Sequence, residues 1–198
     1  MREEVSRGLV AEGREDKASL AAQPEMTMVE ELPGSPADGW RLLRFDAVPH
    51  ASASFCVAYG PERQVFYLTE RPDRFAAFTR AAGVRVTGPA EAVALARTYL
   101  ATTRSMNAYA QVVTSVDELD VLGYLDEEDQ RRLDAARERL RPVLSDPFAV
   151  VSADGFEVTF YIQRGSIVER RTLAVAADGA VTGRAEELVD DLPAPISL

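Results

Sequence analysis

Side chains able to make or break bonds are scarce in this chain. Among 198 residues there is one histidine, His50, one cysteine, Cys56, and one lysine, Lys17. Thiol chemistry, Schiff bases, most metal sites and most acid/base schemes draw on these three types, so their scarcity removes more functions than any motif supports. His50 and Cys56 are the one pair readable as base and nucleophile. Six positions apart on an extended segment they share a face, but at about 3.3 Å per residue they stand roughly 20 Å apart, beyond proton transfer. They read instead as a loop histidine after Pro49 and a small buried thiol. Ser52 and Ser54 lie between them without the Gly-x-Ser-x-Gly elbow of a serine hydrolase. No catalytic residue is assigned.

Metal and nucleotide chemistry have equally little support. One histidine and one cysteine cannot build the usual zinc ligand sets within one chain, and the acidic stretch 117–129 lacks the alternating Asp/Asn ligands and central glycine of a calcium loop. Neither a Gly-x-Gly-x-x-Gly run nor a Walker loop occurs. No cofactor and no metal is expected.

One pattern stands out against this background. In the strand expected over 166–176, the face carrying Ile167, Leu173 and Val175 also carries Glu169 and Arg171, opposite a strand that offers Val158 and Phe160. Charges in an inward row cost several kcal/mol when unpaired, so the two must pair with each other, lie past the edge of the core, or line a hydrated pocket. Arg170 stands between them and Tyr161 on the facing strand. Glu169, Arg170, Arg171 and Tyr161 are therefore the candidates for binding a ligand or partner. Taken together, the tyrosines of the expected elements, Tyr59, Tyr67, Tyr99, Tyr109 and Tyr161, fit core and rim positions better than a substrate box.

The elements that must position these groups follow from periodicity. Strands are expected over 40–45, 51–59 and 64–69, the last two joined by a turn at Gly60-Pro61-Glu62-Arg63. Pro72 opens a helix with Phe75, Phe78 and Ala82 on one side and Gly83 at its end, and a brief strand is expected at 84–86. A second helix spans 89–104, with Gly88 at the cap, Pro89 at the first position, and an apolar stripe of Ala92, Val93, Ala96, Tyr99 and Leu100. Residues 108–115 read as a strand. Asp126 caps a third helix that begins with Glu127, Glu128 and Asp129 and carries Arg137, Arg139 and Arg141 toward Pro142, an order that complements the helix dipole. Phe156, Val158, Phe160 and Ile162 alternate with polar residues as in a half-buried strand. Arg164-Gly165 turns it back, and Asp178-Gly179 signals a type I′ hairpin.

Together these elements predict an α+β fold: a curved, mainly antiparallel sheet of two meanders with two or three helices on one face. A helix followed by a meander has the element order of cystatin-like and NTF2-like topologies, an analogy of architecture alone. Residues 1–38 hold nine acids against four bases and are expected to be an arm or linker. Residues 39–190 form the single α+β domain, and 191–198 a surface tail.

Composition bounds the partners. Net charge is −10 and 46% of residues are hydrophobic, which describes a globular acidic protein whose charge balance works against binding polyphosphate backbones, so nucleic acid is not an expected partner. Apolar runs are too short for a membrane span, and the N-terminus lacks the apolar core of a secretory signal. With a lone cysteine, the expected location is the cytoplasm. Arginine supplies 21 of the 22 basic residues, a bias of GC-rich, for example actinobacterial, genomes. The expected function is binding or regulation without catalysis, toward a protein partner or a small molecule, with the arm at 1–38 mediating homodimer contacts. The rival expectation is a small biosynthetic enzyme of isomerase, cyclase or dehydratase type that works with carboxylate, Tyr and Arg side chains in a cavity between sheet and helix.

Overall fold

The computed structural model describes residues 1–107 and 110–195. Its architecture is α+β, with five helices and two antiparallel sheets. The two meanders are two separate sheets, and helices lie between them as well as on their outer faces.

The first sheet has the order β1 (Thr27–Leu32), β2 (Arg41–Ala47), β3 (Phe55–Tyr59) and β4 (Val65–Tyr67). Alternation along these strands divides the side chains between two layers. Leu43, Phe45, Phe55, Val57, Val65 and Tyr67 point to the outer face, where α1 (Arg2–Ala11) and α2 (Glu15–Ala22) cover them with Val5, Leu9, Ala18 and Ala21. The rings of Phe45 and Phe55 stack there with centroids 4.8 Å apart, and the Arg14 guanidinium lies 4.0 Å above the Tyr67 ring. Residues 1–38 therefore hold two packed helices and an edge strand where their composition predicts an arm. Two buried positions per short helix are too few to stand out from the surrounding charge, but each fully buried Val or Leu contributes about 1.5–3 kcal/mol once a sheet face is present. Arg74 fastens this layer through Glu12, and Tyr59 donates to the Glu4 carboxylate at 2.7 Å.

Leu42, Cys56 and Ala58 point to the opposite face, into a central cluster shared with the second sheet. Two helices run through this layer. In α3 (Pro72–Ala81), Phe75 and Phe78 are fully buried; in α4 (Pro89–Thr103), the inward residues are Ala92, Leu95 and Ala96. Both start at the expected proline. Trp40 packs 5.1 Å from Phe78 and lies so close over Gly60 that a β-carbon there would meet the indole at 2.5 Å.

The second sheet has the order β5 (Gln111–Val112), β7 (Gly155–Arg164), β8 (Ile167–Ala176) and β9 (Val181–Val189), with β6 (Phe148–Ser152) also paired to β7. Phe156, Val158, Phe160, Ile162, Leu173 and Val175 face the central cluster. The outer face carries Tyr161, Val168 and Val189 and is covered by Leu133, Ala136 and Leu140 of α5 (Glu127–Leu140). Asp126 caps α5 as expected, accepting the Glu128 and Asp129 amides at 2.9 and 2.8 Å.

Several local expectations differ. Residues 84–86 form no strand; Val84 and Val86 fill the central cluster while the Val86 amide donates to the Ala177 carbonyl. Residues 51–53 are a single 3-10 turn. Of the strand expected at 108–115, Gln111 and Val112 pair with β7, while positions 108 and 109, including Tyr109, lie outside the described residues. At Asp178-Gly179 only the glycine has positive φ, at 83°. The Gly179 amide closes onto the Ala176 carbonyl, so the hairpin is a type I turn followed by a left-handed glycine, the three-residue alternative to type I′. Finally β9 runs from Val181 to Val189, and Leu192, in the stretch expected to be a surface tail, is buried.

Candidate functional site

The Glu169–Arg171 pattern has a simple outcome: the two charges pair, and they do so beneath a cleft. Antiparallel register sets Ile162 opposite Glu169 and Phe160 opposite Arg171. Glu169 is 3% exposed. Its Oε1 accepts from Arg171 Nε at 2.6 Å and its Oε2 from Arg164 Nη2 at 2.9 Å. Each carboxylate oxygen thus has a charged donor, which is what makes a buried carboxylate tolerable at this depth.

The same strand geometry parts the other two candidates from them. Arg170 projects to the opposite face, where it pairs with Glu186 of β9. Tyr161, directly across from Arg170, is buried in the cluster under α5. Successive residues on a strand point to opposite faces, so the Glu169-Arg170-Arg171 run is one buried pair plus one outer-face arginine.

Above Glu169 a cleft of about 460 Å³ opens between α4 and the turn end of the β7–β8 hairpin. Three elements build it. Helix α4 supplies Arg97, Leu100, Ala101 and Arg104, whose spacings of three, four and seven place them on one helical face. The hairpin supplies Ile162, Arg164 and Arg171, and the edge segment supplies Ala110, Gln111 and Val112. This face of α4 lies beside the apolar stripe visible in the sequence, and Arg97 and Arg104, two turns apart on it, belong to the cleft.

Local chemistry explains why the walls stand where they do. Helix α4 is tied at its start by Glu91, which accepts the Thr87 amide at 2.7 Å and the Thr87 hydroxyl at 2.9 Å; these bonds hold its carboxyl below the usual range. At its other end Thr102 and Thr103 return their hydroxyls to the Thr98 and Tyr99 carbonyls, and Arg104 sits at the C-cap, where the helix dipole favours a cation. Tyr99 braces the inner side by an edge contact with Phe75 at 5.2 Å. The edge segment is anchored by Gln163, 1% exposed, whose amide accepts from the Asp120 and Gln111 nitrogens and donates to the Asp120 and Gly165 carbonyls.

The cleft is cationic inside an acidic protein. Four guanidinium groups line it, no carboxylate shares the lining among the described residues, and Glu169 lies beneath. Leu100, Ala101, Ala110, Val112 and Ile162 supply the apolar part of the wall, and Thr103, Ser105 and Gln111 add neutral polar groups. Arg97 also lies over the Phe160 ring, with its guanidinium carbon 5.8 Å from the centroid. Such an arrangement can hold anionic oxygens by charge-assisted, forked hydrogen bonds.

Cys56 and His50 have no part in it. Cys56 is fully buried in the central cluster, and burial pushes its thiol up to about 12. His50 is exposed beyond β2, and Ser54 is occupied in accepting the Ala47 amide at 3.0 Å. Among the described residues, no group of three His, Cys, Asp or Glu side chains is placed to hold a metal ion, and no helix is long and apolar enough to cross a membrane. Comparison with protein families, with curated proteins and with solved structures finds no match to this chain, so the chemistry of the arginine-lined cleft is the guide to its role.

Proposed function

We propose that this protein is a non-catalytic binding protein that recognises a small acidic ligand in the cleft between α4 and the β7–β8 hairpin. The observation that carries the reading is the convergence of Arg97, Arg164 and Arg171 on one concavity in a chain of net charge −10. Like charges gathered in one place repel, and a fold tolerates the arrangement where a counter-charge arrives. The cleft's size falls within the roughly 300–1,000 Å³ of ordinary ligand sites. Two further features favour binding over turnover: both oxygens of Glu169 are engaged by arginines, and the lone thiol is buried and protonated. A buried single cysteine also suits the cytoplasm.

Ligand-induced stabilisation tests this reading. A panel of small carboxylates and phosphates, compared with neutral analogues, should raise the melting temperature by mass action. Arg97→Met, at an exposed position, should abolish the rise while leaving the unliganded melting temperature close to that of the parent. Equal stabilisation by neutral and acidic compounds, or none by any acid at millimolar concentration, overturns it.

A further inference from the structure

Resting on that reading, we infer that the ligand is a multiply charged oxyanion, a phosphomonoester or a pair of neighbouring carboxylates, carried on an apolar body. Three observations lead there. The first is charge. The guanidinium groups of Arg97, Arg164 and Arg171 line the cleft and Glu169 is the one carboxylate set beneath them among the described residues, so one anionic group of charge −1 would answer only half of the remaining field. A group carrying two negative charges answers more of it at the same desolvation of the wall.

The second is donor geometry. Glu169 engages Nε of Arg171 and Nη2 of Arg164. These bonds leave both Nη groups of Arg171, and Nε and Nη1 of Arg164, beyond the Glu169 contacts. They also hold the two side chains in one arrangement. Rotamer freedom that a flexible arginine would lose on binding is therefore already lost in the unliganded protein. Two guanidinium planes locked by one buried carboxylate form a pre-aimed pair of forks, the donor pattern that suits tetrahedral phosphate or adjacent carboxylates better than one isolated carboxylate. Glu169 is thus a positioning residue for the anion site.

The third is the apolar share of the wall. Leu100, Ala101, Val112 and Ile162 occupy the cleft alongside the arginines. A volume of about 460 Å³ far exceeds what one phosphate group fills, so an apolar moiety must occupy the remainder if the wall is to be desolvated productively.

The test is isothermal titration of the full chain with five probes: phenyl phosphate, phenylsuccinate, phenylacetate, inorganic phosphate and benzyl alcohol. Phenyl phosphate or phenylsuccinate should bind at least about tenfold tighter than phenylacetate, since each charge-assisted hydrogen bond is worth roughly a factor of ten or more. The stronger of the two identifies whether phosphate or paired carboxylates are the source of the charge. Inorganic phosphate should bind at least about tenfold more weakly than phenyl phosphate, because its apolar contacts are missing. Affinity of the dianions should fall as salt rises. Arg171→Met should lose the preference for dianions over phenylacetate. Arg97→Met, at an exposed position away from Glu169, should weaken every anion and serves as the variant whose folding is secure. Equal affinity for phenylacetate and both dianions overturns the inference while leaving an acidic ligand intact. Inorganic phosphate binding as tightly as phenyl phosphate overturns the apolar body. No anion binding more tightly than benzyl alcohol overturns both this inference and the functional reading beneath it.

Discussion

The Arg164–Glu169–Arg171 triad is asymmetric, and the asymmetry predicts unequal costs for breaking it from its two sides. Glu169 is 3% exposed at its side chain, whereas Arg171 and Arg164 retain 33% and 41%. In Glu169→Gln the arginines lose their anion but turn their guanidinium groups into the hydrated cleft, so the loss is that of two charge-assisted hydrogen bonds less the relief of burying a carboxylate, about 1–2 kcal/mol. In Arg164→Met/Arg171→Met the apolar stems are kept, but the carboxylate remains at depth without a cation. Removing the partner of a buried charge costs about 3–5 kcal/mol. For a chain of this size that is a fall in melting temperature of roughly 6–20 °C. The triple replacement Glu169→Leu/Arg164→Met/Arg171→Met completes the apolar row of Phe160, Ile162 and Leu173, and it should recover most of the parent's stability while abolishing anion binding. Urea denaturation followed by circular dichroism, with slopes compared to confirm two-state behaviour, measures all three. If Glu169→Gln costs more than the double arginine variant, or the triple variant is the least stable of the set, then Glu169 is not the buried member that the arginines neutralise, and the derivation of the pre-aimed forks fails with it.

Other consequences are simpler to check. Cys56, with its thiol pushed up to about 12 by burial, should resist iodoacetamide at pH 8 in the folded protein and react stoichiometrically once urea unfolds it. Asp126→Ala removes the side chain that accepts two amides at the start of α5 and should cost about 1 kcal/mol, read as a shift of the urea midpoint. Acid should destabilise the fold through Glu91 and Glu118, each of which accepts a threonine amide and hydroxyl and is held below the ordinary 4.5 chiefly by the amide bond. Because the unfolded chain then binds more protons, their contribution is complete above about 4.5 and is lost as pH falls through the folded-state values. The variant Glu91→Gln/Glu118→Gln should flatten the decline of the urea midpoint between pH 5 and 3 relative to the parent; an identical decline would contradict it.

Local order along the chain was legible wherever one stretch carried its own instructions. Pro72, Pro89 and Asp126 start helices α3, α4 and α5 because a proline ring or a capping carboxylate acts within one turn, and the alternation from Phe156 to Ile162 marks β7 because a strand's period is two. Even the odd charges in β8 could be located, since parity alone sets Glu169 and Arg171 on the inward face. Tertiary structure decided the rest. The edge strand β1, Thr-Met-Val-Glu-Glu-Leu, is held by pairs such as Glu30 opposite Arg44, and β9 by Arg170 with Glu186; neither has an apolar rhythm, because strand partners rather than a core hold those positions. Val5 and Leu9 became core only when a sheet face was set against them. The cleft is the clearest case: Arg97 and Arg104 lie some sixty residues or more from Arg164 and Arg171 in the chain, and nothing in either segment encodes the other. Their meeting follows from α4 packing on β7 and β8 through Ala96, Phe160 and Ile162, a consequence of apolar burial that carries the charges along with it.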